Sequence, residues 1–412
     1  MQDRGPLRLA DAVLAAVQNE PALTGPSKEH SMTQTGNPAN APLFAPLEMG
    51  ATTASNRIVM APLTRSRSTA QENTQTAMHV EYYAQRAGAG LIVSEATQIS
   101  QEGQGYAWTP GIFTDAQVES WKNVTGAVHA AGGRIFCQLW HVGAISHGVF
   151  QPDNAAPVSA SEWTPEGEAF VGDLHPDGPT VPHPTARALS VEEIARVLDD
   201  YRHAAACAER AGFDGVELHA ANGYLIDQFL RSSVNTRDDE YGGAVENRVR
   251  FLTEAVDALL DVLPAGRIGV RLSPVGGPGK SSDDDPATTY AAAAKAIAGR
   301  GLAYLHVVRP NDHTSAEADM DSNVRIVATM REAFDGPFIV NGNFSPAEAA
   351  EWVESGRADA VAFGRMFIAN PDLPARIASD GPYNDADQAT FYGGGAEGYT
   401  DYPALDESDV AA

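Results

Sequence analysis

Eight short runs of β-branched and apolar residues, each followed by helical periodicity, constrain this chain more than any other feature. The runs read RIVMAPL (57–63), GLIVSEA (90–96), RIFCQLW (134–140), GVELHA (215–220), RIGVRLS (267–273), YLHVVR (304–309), FIVNGN (338–343) and AVAFGR (360–365). They are apolar at nearly every position, as strands covered on both faces require. Helical patterns lie between them, for example at 116–132, 191–212 and 246–263. Three helix starts carry a capping-box spacing: Thr114 with Gln117, Ser190 with Glu193, and Ser345 with Glu348. Eight strand–helix alternations predict a single α/β (β/α)8 TIM barrel rather than an open sheet. A dinucleotide-binding GxGxxG between strand and helix is missing, which weakens the doubly wound alternative.

The expected organisation is an N-terminal extension, 1–41, rich in Gly, Pro, Ser and Asn and disordered. The barrel follows over 42–380, with a C-terminal tail, 381–412, packing near the active site. One long connection after strand three, about 144–189, is rich in Pro, Gly and His and is expected to form a lid over the C-terminal ends of the strands.

Twenty-eight basic residues against 54 acidic ones leave a net charge of −26. That excess repels nucleic acid and anionic membranes, so neither is expected as a partner. The apolar stretch Leu9–Val17 is short and interrupted by Asp11, so a secretory leader is not expected. Two cysteines, Cys137 and Cys207, are too few for a disulfide framework. A cytoplasmic location is the expectation that goes with these features, and the chain is expected to act as a monomer or homodimer.

In such a barrel, polar residues at the C-terminal strand ends are the functional candidates. Read in order they are Pro62-Leu63-Thr64, Glu95-Ala96, Gln138 with Trp140-His141, His219, Arg271, Arg309, Gly342-Asn343 and Gly364-Arg365. A strand-end lysine for Schiff-base chemistry is missing, and so is a His/carboxylate cluster at metal-ligand spacing. The last two ends are suited to a phosphate: glycines let backbone N–H groups approach, and Arg365 adds a bidentate cation. Asn370-Pro371 reads as the start of a helix whose dipole favours the same anion.

The segment ELHAANGYLIDQFLRSSVNTRDDEYGGAVENR (217–248) resembles the Old Yellow Enzyme family. The shared pattern is H-x-x-[NH]-G-Y followed by a YGGS-like stretch, here Tyr241-Gly242-Gly243-Ala244. The resemblance runs from about 43 to 403 and includes APLTRSRS (61–68), QLWHVGAISH (138–147) and FYGGGAEGYTDYP (391–403). It implies FMN at the barrel mouth, reduced by NADPH or NADH and reoxidised by a small electron-poor alkene.

By the same resemblance, Pro62, Leu63, Thr64, Ala96, Gln138 and Arg271 would contact the flavin ring. Gly342, Asn343, Gly364 and Arg365 would hold its phosphate. His219 and Asn222 would grip the substrate carbonyl, and Tyr224 would protonate Cα. Tyr106, Trp140 and Tyr392 would wall the pocket, or serve only as packed aromatics, while His141 is read as supporting the fold. The competing readings are a flavin-dependent nitro or nitrate-ester reductase, a metal-dependent or cofactor-free barrel lyase, and a non-catalytic flavin-binding protein.

Overall fold

The computed structural model describes residues 37–309 and 320–405. The expected disorder of the extension up to residue 36, and the tail from 406, lie outside the described residues. Pro38–Phe44 form a 3-10 helix with Asn40 and Leu43 buried. The Asn40 carboxamide donates to the Ile377 carbonyl at 3.0 Å, tying this turn to the helix Leu373–Ser379.

Eight parallel strands close into a barrel. They are β1 (Ile58–Met60), β2 (Leu91–Val93), β3 (Ile135–Trp140), β4 (Gly215–Ala220), β5 (Ile268–Leu272), β6 (Tyr304–Val308), β7 (Phe338–Asn341) and β8 (Ala360–Phe363). Each pairs with the next, β8 returns to β1, and β4 bonds both β3 and β5. All eight lie within the runs read from the sequence.

Side-chain alternation divides their residues between two cores. Outward-facing Ile58, Ile92, Ile135, Leu218, Val270, Leu305, Val340 and Val361 share one cluster with the surrounding helices. Val59, Leu91, Phe136, Tyr304, Ile339 and Ala360 fill the interior, closed below by Met49 and Ala54 of an N-terminal hairpin. Gly269 makes room there, because a Cβ would come within 2.3 Å of the Tyr304 ring.

The helices of this ring are α1 (Ala77–Gln85), α2 (Asp115–Ala130), α3 (Val191–Arg210), α4 (Arg250–Leu260), α5 (Pro286–Ile297), α6 (Met320–Ala333) and α7 (Pro346–Glu354). The capping boxes of α2 and α3 form in full. At α7 only half forms. Ser345 accepts the Glu348 N–H, but the Glu348 carboxylate turns to the Arg309 guanidinium instead, since a full cation outcompetes a backbone N–H. The run at 246–263 is broken: Val245–Arg248 form one turn before α4 begins at Arg250.

The connection after β3 carries a small hairpin, Glu168–Phe170 with Thr180–Pro182. Its root is held by His141, fully buried. The His141 Nδ1 accepts the Gly143 N–H at 3.1 Å, and Nε2 lies 3.5 Å from Glu102. Arg196 of α3 binds the same carboxylate at 2.6 Å. Burial alone would raise the Glu102 carboxyl, but His141 and Arg196 outweigh it and bring it down to about 2.

A carboxyl depressed by folding stabilises above its unfolded value near 4.5 and loses that contribution as pH falls toward about 2. Glu102→Gln should therefore cost on the order of 3 kcal/mol at pH 7 and little at pH 2. Thermal unfolding of the two proteins across pH measures this. A difference independent of pH would refute it.

Candidate active site

The inward face of the strands changes character along the barrel axis. Below sit Phe136, Tyr304 and Ile339; two residues further on, the same faces carry Gln138, His306 and Asn341. Arg271 stands in register with His219 on one side and His306 on the other. Period-two alternation thus delivers a polar layer to the mouth without breaking the apolar outer face.

His219 is almost wholly buried. Its Nδ1 accepts the Ala221 N–H at 3.3 Å, which assigns the ring proton to Nε2 and leaves that donor without a protein partner among the described residues. Burial, then Arg271 and His306, hold its pKa well below the ordinary value, so the imidazole is neutral. The Tyr224 ring stands edge-on to it at 5.0 Å between centroids, and Trp140 packs against both at 6.3 and 5.0 Å. The Tyr224 and Tyr106 hydroxyls meet at 3.2 Å. Burial raises both phenols, Tyr106 to about 12 and Tyr224 well above the usual tyrosine value.

The loop after β4 is built to hold this arrangement. Asn222 has φ +54°, a left-handed conformation that asparagine tolerates. Its N–H donates to Ser273 Oγ at 2.5 Å, and its carboxamide makes no hydrogen bond among the described residues. Asp227 accepts the Gly223 N–H at 2.6 Å and pairs with buried Arg231, while Tyr290 also bonds its carboxylate. Arg231 continues to the Ser281 and Ser273 carbonyls. The DQFLRS part of the motif is therefore scaffold, and Tyr224 of the HAANGY part reaches the mouth.

Two hollows that share Pro62, Leu63 and Arg365 in their walls open there. The larger, about 680 Å³, is lined by Pro62, Leu63, Thr64, Tyr106, Trp140, Tyr224, Arg365 and Tyr392 of the residues selected from sequence. The smaller, about 260 Å³, is lined by Pro62, Leu63, Arg271, Gly342, Asn343, Gly364 and Arg365. Ala96 and Gln138 line neither. Ala96 packs against Trp140 behind the wall, and Gln138 lies below with its Nε2 2.7 Å from Glu217. His219 and Asn222 line neither hollow directly; His219 is reached past Trp140 and Tyr224.

Sequence reading missed Phe170 of the lid hairpin, Pro278, Ile368 and Phe391, all on the larger hollow. Phe170 comes from the hairpin strand, Ile368 from the short helix Arg365–Ala369, and Pro278 and Phe391 from loops, so no single periodicity announces them. It also missed Glu217, His306 and Asn341, whose inward parity was legible. Asn370 is not a helix start: it follows the short helix Arg365–Ala369 and bonds Met366 and Asn384, while Asp372 precedes the next helix, Leu373–Ser379.

Tyr392 reaches the mouth because two arginines clamp the C-terminal segment. Arg65 donates to the Phe391 and Gly398 carbonyls at 2.9 and 2.8 Å. Arg67 donates to Gly395 at 3.0 Å and lies over the Tyr399 ring.

The residues fit a phosphorylated ring cofactor. Arg365 has no acidic partner or hydrogen bond among the described residues, and the Arg271 Nε is buried without an acceptor. A Cβ at Gly364 would meet nothing closer than Leu63 at 3.4 Å, so backbone approach is open. Fold and site together define a barrel enzyme that holds an anionic cofactor beneath an aromatic chamber.

Comparison with known proteins narrows that class. The NADH:flavin oxidoreductase / NADH oxidase family matches residues 42–384. The chain is 42 % identical to 12-oxophytodienoate reductase 2 of Arabidopsis thaliana, over 89 % of this chain and 96 % of that one. A flavin oxidoreductase of Emericella nidulans, hxnT, is 41 % identical over 88 % and 97 %. Among solved structures, morphinone reductase with tetrahydroNAD superposes with a TM-score of 0.83 at 47 % identity, covering 89 % and 98 %. The Old Yellow Enzyme homologue of Zymomonas mobilis gives 0.83 at 44 %, covering 88 % and 99 %.

The chain belongs to the NADH:flavin oxidoreductase family, within the Old Yellow Enzyme group of FMN-dependent alkene reductases driven by NAD(P)H. It acts on small molecules. No helix among the described residues is long and apolar enough to cross a membrane.

Proposed function

We propose that this enzyme reduces the C=C bond of α,β-unsaturated carbonyl compounds, with His219, Asn222 and Tyr224 as its catalytic residues. FMN, when bound, supplies the hydride and is recharged by NADPH or NADH. The observation that carries the reading is a neutral imidazole with a free Nε2–H, 5.0 Å from a protonated phenol in ring-centre distance.

His219 and the unpartnered Asn222 carboxamide are two neutral donors for one carbonyl oxygen. As Cβ takes up hydride, negative charge develops on that oxygen, and donors fixed beforehand lower the barrier. Tyr224 gives its proton to Cα, and its raised pKa keeps it protonated at neutral pH. Gln138 and Arg271 are assigned to the ring of FMN, with Pro62, Leu63, Thr64 and Ala96 beside it. Gly342, Asn343, Gly364 and Arg365 are assigned to its phosphate. Tyr106, Trp140 and Tyr392 wall the substrate chamber. Burial of both cysteines, Cys137 and Cys207, is compatible with action in a reducing cytoplasm.

The test is anaerobic oxidation of NADPH and NADH by the FMN-loaded enzyme, with and without 2-cyclohexenone. Enone-dependent turnover yielding cyclohexanone is expected. A flavin that is reduced but not reoxidised by any activated alkene would defeat the proposal.

A further inference from the structure

One charged group in the barrel has no part in the reaction just described. Glu217 is fully buried on the inward face of β4, between the apolar floor and the mouth. Its Oε1 accepts the Gln138 Nε2–H at 2.7 Å, and its Oε2 lies 2.9 Å from His306 Nδ1. Burying a carboxylate is costly, and a neutral side chain of similar size would pack as well.

The chemistry of the pair is directional. An ionised carboxylate only accepts, so Gln138 can meet it only with its NH₂ end. The amide oxygen is thereby turned away from Glu217, and among the described residues it makes no hydrogen bond. Burial would raise the Glu217 carboxyl, but His306 and Arg271 outweigh burial and keep it below its usual value. Arg271, on the neighbouring strand, stands in register with His219, two residues along the same inward face from Glu217. Arg271 is in turn fixed by Asn341, whose oxygen accepts from the guanidinium at 3.0 Å while its Nδ2 donates to the Ala362 carbonyl.

We propose that Glu217 is a positioning residue that selects the amide orientation of Gln138 and balances the charge of Arg271, so limiting how much more tightly reduced than oxidised FMN is held. The inference rests on the assignment of Gln138 and Arg271 to the flavin. The pyrimidine edge of a flavin alternates N–H and carbonyl groups, so the way the glutamine faces decides whether the two match. Reduced FMN carries added negative charge, which an unbalanced arginine favours.

Two variants of the full-length enzyme separate these effects. Glu217→Gln keeps the length and removes the charge. It should raise the ratio of reduced to oxidised FMN affinity about tenfold, a positive shift of about 30 mV in the two-electron potential. Glu217→Asp keeps the charge and withdraws the acceptor from Gln138. It should weaken oxidised FMN about tenfold with little change in potential. Dye-equilibrated reduction of the holoenzyme and FMN titration of the apoprotein read the two quantities.

An unchanged potential in the first variant, or unchanged FMN affinity in the second, overturns the proposal. Where Glu217→Gln fails to fold, Glu217→Asp alone decides it. Gln138→Ala and Arg271→Met serve as controls for the underlying assignment. If they bind FMN as tightly as the parent, that assignment fails; if they lose FMN while the Glu217 variants match the parent, only this inference fails.

Discussion

Replacing His219 and Asn222 together by alanine should leave FMN bound and slow reduction of enones by at least about 10²–10³-fold. The expected size follows from where the donors sit. A hydrogen bond aimed at a developing oxyanion is worth far more in a site closed to water than at the surface. His219 is 2 % exposed, and its Nδ1 is already occupied by the Ala221 N–H, so its free proton cannot be lost to a tautomer change without breaking that bond. The residues assigned to the phosphate, Gly342, Asn343, Gly364 and Arg365, line the smaller hollow and are untouched by the substitution, so FMN should be retained.

The measurement is reoxidation of the pre-reduced enzyme by 2-cyclohexenone, followed by flavin absorbance, together with the binding of a phenol as a carbonyl mimic. Both should weaken in parallel. Equal reoxidation rates in parent and variant would refute the assignment. In the parent, this couple should contribute no pH dependence between about 6 and 8, because burial keeps His219 neutral across that range and a carboxamide does not titrate.

Tyr224→Phe is expected to separate the two halves of the catalytic cycle. Reduction by NAD(P)H should proceed at the parent rate, while reduction of the alkene falls about 10²–10⁴-fold, the usual contribution of a positioned general acid. The substitution removes one oxygen and keeps the ring against His219 and Trp140. Its structural cost is the bond to the Tyr106 hydroxyl, on the order of 1 kcal/mol. Rapid-mixing kinetics of each half-reaction would distinguish the outcomes. Equal slowing of both halves would mean that Tyr224 shapes the pocket and does not deliver the proton.

Sequence reading reached the barrel because its strands advertise themselves locally. A parallel strand covered on both faces is apolar at almost every position, and that signal needs no partner to be recognised. It also reached the HAANGY loop, where chemistry-bearing residues crowd into a few positions. It overreached at Asn370, whose side chain binds Asn384, and at Glu348, which Arg309 claims from the Ser345 box. In both cases a local rule met a distant competitor. Glu217, His306 and Asn341 were legible as inward-facing positions, yet nothing local tells a buried carboxylate with partners from a strand-end residue open to the mouth.

The amino-acid order alone determined the eightfold strand–helix alternation, the parity that sorts each strand into inner and outer faces, and the motif that holds His219, Asn222 and Tyr224. These depend on neighbours a few residues apart. Only the folded chain decided that Phe170, Pro278 and Phe391 share one chamber, and that Arg65 holds the Phe391 carbonyl 326 residues away. Contacts of that kind depend on closing long loops around a finished barrel, and no periodicity in the chain encodes where such loops meet.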